Sequence, residues 1–141
     1  MTEKMNAIGF TQHLPITAKN SLFAFETARP QASGHDLLVK IVAVAVNPVD
    51  VGVRGHGRGI LKQPKVIGWD AVGTVVATGH AVTLFKPGDR VFYAGSFKRS
   101  GSNSDYQLVD ERITGHAPQQ LTIAQSAAMP LTALTAWGST L

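Results

Sequence analysis

The sequence predicts a mainly β fold, a barrel or sandwich rather than an alternating α/β unit, followed by short C-terminal helices. Three observations predict it. Short runs rich in Val, Ile and Leu recur along the chain, glycine- and proline-containing turns separate them, and helix signals gather after residue 121.

Residues 5–10 read as a short opening strand, and residues 22–27 alternate apolar and polar side chains as a half-buried strand does. Residues 36–46 are dominated by Val, Ile and Leu, with Lys40 the single charge between Leu37 and Val46. Residues 70–78 repeat the pattern through Val72, Val75 and Val76, and Gly73 within them signals a bulge or a close backbone approach. Residues 90–94 and 106–110 are further short strands. Turn signals lie between these runs: Arg29-Pro30, Ser33-Gly34, Lys86-Pro87-Gly88-Asp89 and Gly101-Ser102-Asn103-Ser104. Thr122 is placed to cap a helix over residues 123–129, which Pro130 ends. A second helix, residues 130–141, starts with proline in its first turn, where the missing N–H costs nothing.

With 141 residues the chain is about one domain long. Hydrophobic content of 44% and charged content of 16% fit an ordinary globular protein. The absence of cysteine excludes disulfides, thiolate nucleophiles and cysteine zinc sites. The start, Met-Thr-Glu-Lys-Met-Asn, has no apolar core behind it, so a cytoplasmic location is expected. Residues 113–141 carry no charge over a length that could span a bilayer. Gln119, Gln120, Gln125, Ser126 and the central Pro130 make the stretch too polar for that, so no membrane partner is expected. The net charge is +4, and Arg54, Arg58, Lys62 and Lys65 follow one another between Asp50 and Asp70 with no acid among them. That stretch is either a solvated loop or a positive field facing an anionic partner such as cofactor phosphates. No aromatic residue interleaves with it, so nucleic acid is not an expected partner.

Three segments carry a stronger signal in combination than alone. Asn47-Pro48-Val49-Asp50 closes the long apolar strand, Gly68-Trp69-Asp70 opens the next, and Lys86-Pro87-Gly88-Asp89-Arg90-Val91 is a tight turn feeding a strand. Their order resembles the substrate domain of the medium-chain dehydrogenase/reductase superfamily, in its zinc-type alcohol dehydrogenase-like and quinone-oxidoreductase branch. The resemblance spans essentially the whole chain. It implies a GroES-like, partly open β-barrel over residues 1–129, with 130–141 beginning the helix that leads to a Rossmann domain absent from this chain.

The resemblance also implies roles for particular residues. The zinc ligands of the alcohol dehydrogenases, cysteine, histidine and cysteine, would fall at Asn47, Trp69 and near Leu131. An amide, an indole and an alkyl chain do not replace them. The loop over residues 95–106 stands at the place of the structural zinc lobe and has no cysteine. Asn47, Asp70 and Trp69 are the implied catalytic-site residues, and Asn47, Thr132 and Thr135 the implied nicotinamide contacts, with no metal. Asn47 offers a donor and an acceptor without titrating, so it can orient a carbonyl but not act as acid or base. Each also has a plain structural reading: Asn47 at a strand end, Asp50 capping a following helical turn, Trp69 as packing, and Asp70 paired with Arg54 or capping. Thr132 and Thr135 would bond back to their own helix. His13, His35, His56, His80 and His116 show no metal-pair spacing and read as surface residues, with His56 notable for its place in the basic stretch.

No G-x-G-x-x-G is present; Gly55-His56-Gly57-Arg58-Gly59 has the wrong spacing. A dinucleotide therefore has no phosphate fingerprint here. The expectation is the N-terminal domain of a zinc-independent oxidoreductase that takes hydride from NADPH, or NADH, to a quinone, enone or other carbonyl compound. Alone, this chain is expected to be inactive, and any homo-oligomer would form through the missing domain. A zinc-dependent alcohol dehydrogenase is one alternative. A non-enzymatic GroES-like binding module is another, if the native chain ends here.

Overall fold

The computed structural model describes residues 2–139. Their order is β1 (Lys4–Gln12), β2 (Phe23–Ala28), β3 (Asp36–Ala45), α1 (Pro48–Gly55), β4 (Ile60–Val66), β5 (Asp70–Thr78), β6 (Arg90–Tyr93), β7 (Tyr106–Asp110), a 3-10 turn (Glu111–Ile113), β8 (Gly115–His116), α2 (Ile123–Ala128) and α3 (Pro130–Ser139). A three-stranded sheet, ordered β2-β1-β4, lies beside a five-stranded sheet, ordered β7-β3-β5-β6-β8, and all the pairings are antiparallel. The mainly β, GroES-like, partly open barrel expected from the sequence is the architecture observed.

The main core lies on the inner face of the larger sheet, where Leu37, Val39, Ala71, Val75, Val91, Tyr93 and Val109 meet. Alternate residues of facing strands supply it, as the two-residue period of a pleated strand requires. Gly73 answers the sequence signal. A Cβ there would meet the Lys40 carbonyl oxygen at 2.4 Å, and the β3–β5 register slips between Ile41 and Ala43 beside it. A bulge brings two backbones into contact where only glycine fits. The Lys86–Asp89 turn closes with Gly88 at φ 97°, and Gly88 N–H donates to the Val75 carbonyl at 2.8 Å, docking the turn on β5.

Two elements differ from the sequence reading. The stretch expected as a basic loop contains β4, which pairs with β1 across a bulge between Phe10 and Gln12. β4 is an outer strand of its sheet, so Pro64 is tolerated and exposed Lys62 and Lys65 discourage further pairing. Only Leu61, Pro64 and Val66 turn partly or fully inward, and the charges between them hide the alternation. The helical turn expected after Asn47 is an eight-residue helix, started by Pro48 at its first position. α2 begins as expected, with Thr122 Oγ1 accepting from Gln125 N–H (3.2 Å) and Gln125 Oε1 accepting from Thr122 N–H (3.0 Å). The last two positions of the expected 130–141 helix lie outside the described residues.

Candidate functional site

The polar centre forms where three chain segments converge. β3 ends at Ala45, and Asn47 follows as the extended N-cap of α1 (φ −123°, ψ 164°). Its own N–H donates to the Asp50 carboxylate at 2.9 Å, while its side-chain Nδ2 donates to Asp70 Oδ2, also at 2.9 Å. The other oxygen of Asp70 accepts the backbone N–H of Leu131 at 2.8 Å. Leu131 N–H is one of the donors that the first turn of α3 leaves without an intrahelical partner. Asp70 is wholly buried and Asn47 nearly so, at 0% and 8% exposure. One carboxylate, the first residue of β5, thus ties the start of α1 to the start of α3.

Asp70 accordingly does not pair with Arg54, whose guanidinium donates instead to the Leu14 carbonyl at 2.8 Å. Its capping role is realised on α3, 61 residues away in sequence. Asp50 is also buried, and its carboxyl is held above its ordinary range, chiefly by loss of solvent and secondarily by the nearby charge of Asp70; hydrogen bonds from backbone N–H groups work against the rise.

Trp69 packs with Phe10 and Ile67, and Val49, Val53, Leu61 and Leu131 lie against that cluster. The indole therefore supports both helices that Asp70 ties together. Its Nε1–H is buried and has no hydrogen-bond partner among the described residues, an exception in a folded interior. On its outer side the ring meets Phe97 at 5.3 Å between centroids, tilted by 52°. Phe97 lies in the loop over residues 95–106, where an aromatic among Ser, Lys and Arg is the one signal the sequence offers.

Thr135 Oγ1–H donates to the Leu131 carbonyl at 2.9 Å, and Thr132 Oγ1 lies 3.1 Å from the carbonyls of both Ala128 and Met129. Both threonines are exposed. Their hydroxyl protons thus return to the local backbone, and what each offers outward is acceptor lone pairs. His56 caps the end of α1, with Nδ1 3.0 Å from the Gly52 carbonyl, and is exposed. A third buried acid carries no mark in the sequence: Glu111, 2% exposed, accepts from the N–H groups of Thr83 and Leu84 at 3.0 and 2.8 Å and meets His35 Nδ1 at 2.6 Å. These bonds hold its carboxyl below its ordinary range, His35 contributing most. In sequence it is the middle of Asp110-Glu111-Arg112, which looks like surface charge.

The chain belongs to the alcohol dehydrogenase GroES-like domain family, which matches residues 33–134. It is 43% identical over 133 residues to a zinc-type alcohol dehydrogenase-like protein of Staphylococcus aureus (strain COL), covering 94% of this chain and 39% of that one. To a chloroplastic quinone-oxidoreductase homologue of Spinacia oleracea it is 38% identical over 114 residues, covering 79% of this chain and 35% of the relative. Among solved structures it is similar to a Rhizobium etli CFN 42 protein carrying a provisional assignment as a zinc-dependent alcohol dehydrogenase, with TM-score 0.94, 49% identity, and coverage of 99% and 40% of the two chains. A mycobacterial protein solved in complex with NADPH gives TM-score 0.74 and 30% identity, covering 94% and 38%. The chain therefore spans about two fifths of the length of these relatives. The first three of these carry the names of oxidoreductases.

The names of two relatives imply zinc, and the donors at this centre bear directly on it. Asn47 gives its amide nitrogen to Asp70, Trp69 offers an N–H, Leu131 has no donor atom, and both Asp70 oxygens accept N–H groups. Among the described residues no three His, Asp or Glu side chains gather into a metal-holding group. This donor set does not fit a catalytic zinc, which takes imidazole, thiolate or carboxylate ligands.

Proposed function

We propose that this chain is the substrate-shaping N-terminal domain of a zinc-independent, NAD(P)H-dependent oxidoreductase that reduces quinones, enones or other carbonyl compounds. The observation that carries the reading is the buried Asp70 carboxylate, engaged by Asn47 and Leu131 where a metal centre would need free donors. NADPH, ahead of NADH, would supply the hydride when bound. This chain holds no dinucleotide fingerprint, so the phosphates would be held by a Rossmann domain reached through residues 130–141, with residues 1–129 forming the substrate domain. Leu134 on α3 is 64% exposed and Val51 on α1 60%, apolar surface of the kind that an adjoining domain covers.

In this reading Asn47 orients the acceptor carbonyl, its amide held in one attitude by Asp70. Thr135, with Thr132 beside it, accepts an N–H from the nicotinamide carboxamide, since the hydroxyl protons are already committed to carbonyls. Trp69 supports the pocket wall. Asp70 is a positioning residue, because both its oxygens bond to the chain itself. The isolated chain would fold without catalysing.

The test uses the native full-length protein, purified without a metal-binding tag, with NADPH and a quinone panel. Asn47→Ala and Thr135→Ala should each lower kcat/KM about 2- to 10-fold, the worth of one hydrogen bond. Zinc should be well below one per chain. Activity that requires stoichiometric zinc would overturn the proposal, as would variants that melt early yet turn over normally.

A further inference from the structure

Resting on that reading, we propose that the groove between β4 and the loop over residues 96–100 binds the anionic end of the acceptor, which makes planar acceptors carrying a carboxylate, sulfonate or phosphate the preferred class. The groove, about 330 Å³, is lined by Pro64, Lys65, Val66, Phe97, Lys98, Arg99 and Ser100. That places it at the small end of ligand pockets, which run from about 300 to 1,000 Å³.

Its charges are unbalanced. No lining residue is acidic. Arg99 is satisfied by a two-pronged pair with Asp36 at 2.7 and 3.1 Å, which leaves Lys65 and Lys98. Both are exposed and, among the described residues, neither forms an ion pair. Arg58 and Lys62 add positive charge on and before the same strand, and no acid falls between Asp50 and Asp70. Two free ammonium groups on facing elements attract an anion that either alone would hold weakly.

The aromatic component lies beside them. Phe97 is 65% exposed and packs on the Trp69 indole at 5.3 Å. The Trp69 indole belongs in turn to the cluster that Val49 of α1 and Leu131 of α3 pack against, which links the groove's Phe97 to the helices of the candidate site. The base of the loop is rigid. Gln107 Nε2 donates to the Ser100 carbonyl at 3.0 Å while Tyr93 Oη–H donates to Gln107 Oε1 at 2.8 Å, and Gly101 N–H donates to the Val66 carbonyl at 3.0 Å. At the tip the Arg99 side chain is anchored to Asp36, while the backbone turns on itself through Lys98 N–H to Ser96 Oγ at 3.3 Å and Arg99 N–H to the Ser96 carbonyl at 3.4 Å. Phe97 is thus an exposed ring on an anchored loop, able to stack on a planar acceptor while Lys65 and Lys98 meet its anionic substituent.

The experiment compares 1,4-naphthoquinone with 1,4-naphthoquinone-2-sulfonate as acceptors for the native full-length protein with NADPH. A sulfonate alters the intrinsic reactivity of the ring, so the readout is how substitution changes the ratio of the two kcat/KM values. Lys65→Gln with Lys98→Gln should lower the sulfonate-to-neutral ratio about fivefold, through KM, and raised salt should do the same to the wild type. Phe97→Ala should lower kcat/KM for both quinones. An unchanged ratio, with neutral-quinone turnover intact, overturns the subsite and leaves hydride transfer standing. A rise in KM for NADPH instead assigns the lysines to the cofactor phosphate and also overturns it. If neither quinone is reduced, the oxidoreductase reading fails, and quenching of tryptophan fluorescence by the sulfonated quinone decides the subsite: binding weakened severalfold by the lysine substitutions supports it, and binding indifferent to them overturns it.

Discussion

The bond between Asn47 and Asp70 is the most direct place to test the architecture of the site. Each Asp70 oxygen accepts one short N–H bond, 2.9 Å from Asn47 Nδ2 and 2.8 Å from Leu131 N. A hydrogen bond to a charged group is worth about 1.5–3 kcal/mol, and a buried partner left alone costs about as much. Asn47→Ala removes one bond and strands one carboxylate oxygen, so about 2 kcal/mol should be lost. Asp70→Ala removes both bonds and strands two donors, yet it also relieves the burial of a charge that has no cation partner. Its total is therefore a poor measure of the bond, and a double-mutant cycle is the right one. Urea unfolding of wild type, both single variants and Asn47→Ala/Asp70→Ala, followed by tryptophan fluorescence, should give a coupling of about 1.5–3 kcal/mol. Asn47→Ala alone should lower Tm by about 5–10 °C. A coupling below about 0.5 kcal/mol would show that the two helices are not tied through this carboxylate, and the positioning role of Asp70 would fall with it.

Other expectations follow from the same structure. Gly73→Ala should cost about 1–3 kcal/mol, because the new Cβ lands 2.4 Å from the Lys40 carbonyl oxygen, whereas Gly52→Ala in α1 meets nothing within 4 Å and should stabilise by about 0.4–1 kcal/mol; chemical denaturation distinguishes them. The carboxyl of Glu111 is depressed in the folded state below its ordinary 4.5, so its contribution is present above that pH and is lost as pH falls through the depressed value. Glu111→Gln should therefore lower Tm near neutrality and flatten the acid limb of a Tm-against-pH curve; an acid limb as steep as the wild type's would refute the assignment.

What was legible in the sequence is what is encoded locally. Gly73 announced its bulge because only the absence of a side chain permits such an approach, and Thr122 with Gln125 announced a helix start because the cap is complete within four residues. β4 was missed because an outer strand hides its inward alternation behind Lys62, Pro64 and Lys65, the residues that protect an exposed edge. The expectations about Asn47, Trp69, Thr132 and Thr135 came from resemblance, and resemblance says where residues fall, not which atoms they engage.

The engagements themselves arise from contacts distant in sequence. Asp70 meets Leu131 across 61 residues, and Glu111 meets His35 across 76. No period or spacing predicts either, because each depends on where the sheet delivers two otherwise unrelated segments. Asp70 and Glu111 share one logic: a buried carboxylate accepts N–H groups from segments that need acceptors, and Glu111 adds the His35 imidazole. In Glu111 that arrangement fixes a loop to the barrel. In Asp70 it fixes the starts of two helices against each other, with Asn47 held at the junction. A scaffold of this kind holds the Asn47 amide in one attitude through a buried carboxylate that two helix starts share.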